Sequence, residues 1–140
     1  MSWVFDTDAV SEVLRKKPAP QYLAWLRTIP VDEQLTTSIT VAELYWGAHR
    51  SSASARHLHN IETRVLPSLR VVAFDVDAAR RFGELKAGLE AQGMLLPDAD
   101  LQIASIALAG GHELVTGNVR HFSRIPGLRI NTALAATRPS

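Results

Sequence analysis

Residues 98–118 read Asp-Ala-Asp-Leu-Gln-Ile-Ala-Ser-Ile-Ala-Leu-Ala-Gly-Gly-His-Glu-Leu-Val-Thr-Gly-Asn. This stretch decides the fold. Pro97 stands where a helix begins, and Asp98 and Asp100 open it. The run from Ile103 to Ala109 is almost wholly apolar, and Gly110-Gly111 closes it. A helix that apolar is packed in the centre of a molecule. Glu113 to Thr116 then reads as a strand, with Asn118 just past its end. A central helix that runs back to feed a strand is half of a βαβ unit.

The same alternation holds on either side. Residues 2–6 (Ser-Trp-Val-Phe-Asp), 35–39 (Leu-Thr-Thr-Ser-Ile), 69–74 and 128–130 read as further strands. Helical patterns separate them: Val10, Val13 and Leu14 behind an Asp8 cap, then Tyr22 to Leu26, and Val41 to His49. Two more run from Leu58 to Leu66 and from an Asp75 or Asp77 cap to Glu90. Strands alternating with helices predict a parallel sheet. Right-handed crossovers put helices on both of its faces. Residues 1–132 read as one domain, and the Ala/Thr/Pro-rich tail 133–140 is expected to fray.

Composition narrows the function. The 140 residues hold no cysteine, which excludes disulfides and thiolate zinc sites and fits a cytoplasmic protein. No run reaches the roughly 20 apolar residues of a membrane helix, and the first residues are not expected to be a leader. The net charge of +1 argues against binding nucleic acid by overall charge alone. Arg15-Lys16-Lys17 is one basic run, and Arg120, Arg124 and Arg129 are spread further on.

In an open parallel sheet, ligands bind beyond the carboxyl ends of the strands. Asp6, Glu43, Asp100 and Asn118 all fall at that rim, from four separate segments. Gathered carboxylates repel, and a hard cation offsets the repulsion best. With no Cys and no paired His spacing, the site suits Mg²⁺ or Mn²⁺. Each residue also has a plain role. Glu43 completes a capping box with Thr40, Asp98 caps a helix, and Asn118 is a turn residue. Asp6 resists that treatment, because a carboxylate ending a buried strand needs a partner.

The chain resembles the PIN-domain ribonuclease toxins of the VapC/FitB type. The segments that carry the likeness are Val4-Phe-Asp-Thr-Asp8 with Ser11 to Arg15, and Ser38 to Leu44 with Gly47. Asp100 to Ala104, Leu114 to Asn118, Arg120-His-Phe122 and Pro126 to Ile130 complete it. The resemblance implies a three-layer α/β/α sandwich around a parallel sheet of four to five strands. It implies a magnesium-dependent endoribonuclease, the toxin of a toxin–antitoxin pair. Asp6, Glu43 and Asp100 match the family's main acids, with Thr7 in support. Asn118 stands where some members carry a fourth acid, Asp8 where Asn is commoner, and His121 where relatives are often acidic. Asp98 is an additional acid. The partners implied are RNA, a homodimer mate and an antitoxin, with DNA met only through the antitoxin. Trp25, Leu26, Tyr45 and Trp46 are candidates for the antitoxin groove or for plain core packing.

Two other functions fit parts of the pattern. Asp6-Thr-Asp8 mimics the nucleophile and acid/base pair of a haloacid-dehalogenase-like phosphatase, with Lys86 as its phosphate ligand. A degenerate PIN-like module that only binds a partner would explain Asn118.

Overall fold

The computed structural model describes residues 1–139. Strand β1 (Trp3–Phe5) leads into helix α1 (Thr7–Leu14), and Pro20 opens α2 (Pro20–Leu26). Strand β2 (Gln34–Thr37) passes directly into α3 (Ser38–Arg50). Helix α4 (Ser54–Asn60) continues into one turn of π-helix, Ile61–Val65. Strand β3 (Arg70–Val72), α5 (Val76–Ala91), α6 (Asp98–Gly110) and β4 (Glu113–Val115) follow. The short α7 (Val119–Phe122) and strand β5 (Ile130–Asn131) complete the order.

All five strands pair in parallel, in the order β3-β2-β1-β4-β5. The chain builds outward on one side of β1, then crosses to the other through α5 and α6. That crossing makes the carboxyl end of β1 the topological switch point. Strand residues alternate between the faces. Val4 and Leu114 enter one core with Leu89, Leu101 and Ile103. Phe5 and Val115 enter the other with Val10 and Tyr22. This is the expected three-layer sandwich.

Helix α6 is central, as its composition requires. Leu101 and Ile103 to Ala107 are all buried, and the Ser105 hydroxyl is satisfied by the Leu101 carbonyl at 2.6 Å. Burying each of its large side chains contributes about 1.5–3 kcal/mol. Gly111 ends the helix with φ of 69°, a conformation that a Cβ disfavours.

Three local readings are corrected. Helix α3 starts at Ser38 rather than near Val41, because Thr37 is its cap and accepts from the Thr40 N–H at 3.0 Å. Glu43 therefore lies beyond the first turn, and it does not form a capping box with Thr40. Asp6, not Asp8, caps α1, accepting from the Ala9 N–H at 2.8 Å. Nor does the tail fray. Leu134 is fully buried, residues Ala135–Thr137 form a 3₁₀ turn, and Arg138 is anchored by ion pairs. Ser140 lies outside the described residues.

Candidate active site

Asp6 leaves β1 at the switch point, where its backbone N–H still bonds Val115 at 3.1 Å. Its side chain is 5 % exposed. Burial pushes its carboxyl up to about 7, and the nearby charges of Asp8 and Asp100 push the same way. The Thr116 hydroxyl and the Ala9 N–H oppose that rise without cancelling it. Asp6 and Asp100 are thus close enough to repel, one from the end of β1 and the other from the first turn of α6.

Glu43 points from α3 toward α1. The Thr7 hydroxyl donates to its Oε1 at 2.5 Å. Thr7 also lies 3.3 Å from the Thr40 hydroxyl, which lies 3.3 Å from that of Thr37. A line of three threonine hydroxyls therefore ties the α3 cap to the Glu43 carboxylate.

The remaining candidates divide. Asp8 is held by Arg138 through two bonds, at 2.6 and 3.0 Å. The same guanidinium reaches Glu12 at 3.1 Å. Glu12 is 3 % exposed. Burial alone would raise its carboxyl, but the Ala19 N–H, Arg138 and Arg15 together hold it below its ordinary value. Gly117 passes close under this clasp, and a Cβ there would overlap the Arg138 guanidinium and the Asp8 carboxylate. Asp98 faces solvent and pairs with Lys86 at 3.0 Å, and it does not cap α6. Asn118 is exposed, and its backbone N–H donates to the Thr116 hydroxyl at 3.0 Å. The phosphatase reading loses its parts here, since Arg138 occupies Asp8 and Asp98 occupies Lys86.

Among the described residues, no three acidic or histidine side chains converge tightly enough to enclose a metal ion. The structure brings Asp100 within electrostatic reach of Asp6, and Glu43 is tied to Thr7, the residue that follows Asp6. Oxygen donors that repel one another in a buried place fit a hard divalent cation, with water completing its shell.

Beside Glu43 and Thr7 opens a cleft of about 950 Å³ between α1, α3 and α4. Arg15, Lys16, Arg50, Arg56 and Arg64 line it, and Trp46 stands at its rim, 62 % exposed, with the Arg50 guanidinium 3.8 Å above its ring. Trp46 alone of the four groove candidates lines it. Trp25 stacks on Tyr22 with ring centroids 5.9 Å apart, Leu26 packs into the same core, and Tyr45 bonds Glu62. Arg50, Arg56 and Arg64 were not legible as cleft residues in the sequence, because helix spacing alone does not show that α3 and α4 face α1. Nor were the Thr116 hydroxyl that bonds Asp6 and the contact of His121 with Asp100.

The profile of the family described as PIN domain matches residues 3–128. A ribonuclease VapC2 of Haemophilus influenzae is 33 % identical over 129 residues, covering 92 % of this chain and 96 % of the relative. The tRNA(fMet)-specific endonuclease VapC of Salmonella typhimurium is 32 % identical over 130 residues, with 93 % and 96 % covered. Among solved structures, DNA-bound VapBC of Salmonella typhimurium superposes with a TM-score of 0.85 at 31 % identity, covering 94 % of this chain and 97 % of that one. Sheet order, the acids at the switch point and these relatives agree: the chain belongs to the PIN domain family.

Proposed function

We propose that this protein is the ribonuclease toxin of a toxin–antitoxin pair, an endonuclease that cleaves RNA phosphodiester bonds with the help of Mg²⁺ or Mn²⁺. The observation that carries the metal is Asp6. A carboxylate this buried, with Asp100 and Asp8 nearby, is held in its charged form by a cation better than by anything the fold supplies. Asp6 and Asp100 would hold the ion, and Glu43 would act through a water that Thr7 helps to place. When bound there, a divalent cation supplies a nucleophilic water at neutral pH and neutralises charge on the leaving oxygen.

The chain's own groups do the rest. Thr7 fixes the Glu43 carboxylate, so its free oxygen has a set direction toward solvent in the cleft. Asn118, exposed at the end of β4, offers a carboxamide to a water or a phosphate. The arginines of the cleft bind the RNA backbone and deliver it to the acids. The same cleft suits the antitoxin, as VapBC-type relatives are toxin–antitoxin assemblies. A partner chain filling it beside Glu43 and Trp46 excludes RNA. DNA contact belongs to the antitoxin, and the toxin pairs as a homodimer.

The test is cleavage of total RNA by the purified, antitoxin-free chain with Mg²⁺ or Mn²⁺, with chelator, and with Asp100→Asn. Discrete cuts bearing 5′-phosphates, abolished by chelator and reduced at least about 100-fold in the variant, are expected. Products with 2′,3′-cyclic phosphates would rule out the water-attack chemistry. Equal cutting by wild type and variant would remove the acids from the reaction. Saturable metal binding without any cleavage, on RNA from the native host as well, would favour the binding-module reading.

A further inference from the structure

We propose that Trp46 is the platform for one unpaired nucleobase of the substrate, so that the enzyme cuts RNA beside a base that has left its helix. The inference rests on the ribonuclease reading above and specifies the form of its substrate. Glu43, Trp46 and Arg50 follow one another at steps of three and four positions on α3, and all three line the cleft. At that spacing, neighbouring side chains of a helix lie about 5–6 Å apart at Cβ. The Arg50 guanidinium stands 3.8 Å from the centre of the Trp46 ring. It covers one face of the indole and holds the ring in one orientation. With that face taken, an exposure of 62 % leaves the other face open.

Gly47 adds an independent sign of a ligand. Glycine is a poor residue for a helix interior, yet it stands in the middle of α3. A Cβ there would meet nothing within 4 Å, so no packing within the chain calls for glycine. Gly47 lies one turn beyond Glu43 and lines the same cleft. What its bare backbone keeps clear is room for something outside the chain, between the indole and the acid.

The lining identifies the occupant. Arg15, Lys16, Arg56 and Arg64 line the cleft with Arg50, and Glu43 is the one acid among the described residues that do. A basic cleft with a flat, open aromatic ring suits a strand that joins a negative backbone to bases whose faces are free. In a duplex each base is stacked between its neighbours, and its face cannot reach an indole. A base laid on Trp46 brings its own phosphate along α3 to Glu43, which Thr7 ties to the end of β1. The nucleotide on Trp46 is therefore the one that flanks the cut.

Equilibrium binding to a strand of about 12 nucleotides, spanning a cut site mapped in total RNA, tests this. The full chain carries Asp100→Asn in these titrations, which spares the strand. Trp3 and Trp25 pack in the core, so fluorescence quenching that is present before Trp46→Phe and absent after it reports Trp46. The single strand should quench Trp46, and the same strand annealed to its complement should not. Trp46→Ala should bind the single strand about 10- to 100-fold more weakly, and Trp46→Phe should recover most of that affinity. With Asp100 restored, an abasic ribose beside the cut should slow cleavage by the chain, and Trp46→Ala should lose nothing further on that substrate. Circular dichroism establishes that the variants are folded. Binding and cleavage that Trp46→Ala leaves unchanged, or equal quenching by the duplex, overturn the platform while the ribonuclease reading stands. The exposed indole then belongs to a protein partner that fills the cleft. Absence of both cleavage and RNA binding in wild type overturns both.

Discussion

The Asp6 carboxylate caps α1 through Ala9 while burial, reinforced by Asp8 and Asp100, holds its carboxyl near 7. The folded value lies above the ordinary value of 3.8, so the native state keeps the proton longer than the unfolded chain does. The stability this gives is complete below about pH 4 and is lost as pH rises through 7. In metal-free protein, Asp6→Asn keeps an oxygen for Ala9 but never has to ionise. Its stability should match that of wild type below about pH 4 and exceed it at pH 8 by on the order of a few kcal/mol, the gap opening between the two values. Saturating Mn²⁺ should raise wild type far more than the variant. A gap that stays constant across pH would mean that Asp6 is not the group that titrates. Glu43 depends on Thr7 in a different way, since the threonine sets its direction rather than its charge. Thr7→Val should lower turnover about 10–100-fold with little loss of RNA binding, and Thr7→Ser should recover most of it. Measured kcat and KM separate these outcomes.

At the scale of the elements, the sequence was legible where one local signal settled the matter. The apolar run from Ile103 to Ala109 could only be a central helix, and Asp75 did cap α5, accepting from the Ala78 N–H at 3.0 Å. The five strands were placed within about two residues, because short runs of apolar and β-branched residues such as Trp3-Val4-Phe5, Leu35-Thr36-Thr37 and Leu114-Val115 stand between turn and helix signals. The start of α3 was misread because Thr37 and Thr40 are chemically alike and both are followed by helix formers. The choice between them is made by tertiary contacts, since Thr40 turns inward to Thr7. Helix α7 illustrates the other limit. Its four residues carry no periodicity to read, so the approach of His121 to Asp100 became visible only in three dimensions. The acids were legible as a set, because strand ends can be counted along the chain. Which of them touch was not, because side-chain reach is decided across α1, α3 and α6 together.

Across the whole molecule, a net charge of +1 conceals a marked asymmetry. The acids gather at the switch point while the arginines of α3, α4 and the residues following line the adjoining cleft. Arg56→Ala should weaken RNA binding at low salt without altering the pattern of cuts. It should also reduce the slope of log affinity against log salt by about 0.7, as expected for one lost phosphate contact on a single strand. An unchanged slope would place the RNA elsewhere. The other long-range device is the Arg138 clasp, which escaped the sequence reading because its partners lie 130 and 126 positions away. Arg138→Ala leaves Glu12 buried with Arg15 and Ala19 as its remaining partners, and should cost about 2–3 kcal/mol in denaturant melts. Adding Glu12→Gln should return part of that loss, and strict additivity of the two changes would show that they do not interact.

That clasp also sets an order of events during translation. β1 and α1 leave the ribosome before the elements that complete them: β1 must wait for β4 to complete its pairing, and Glu12 must wait for Arg138. Non-local pairings of this kind form late and slowly. A growing chain therefore carries Asp6 without the surroundings that would arm it until β4 and Arg138, more than a hundred residues later, have been made.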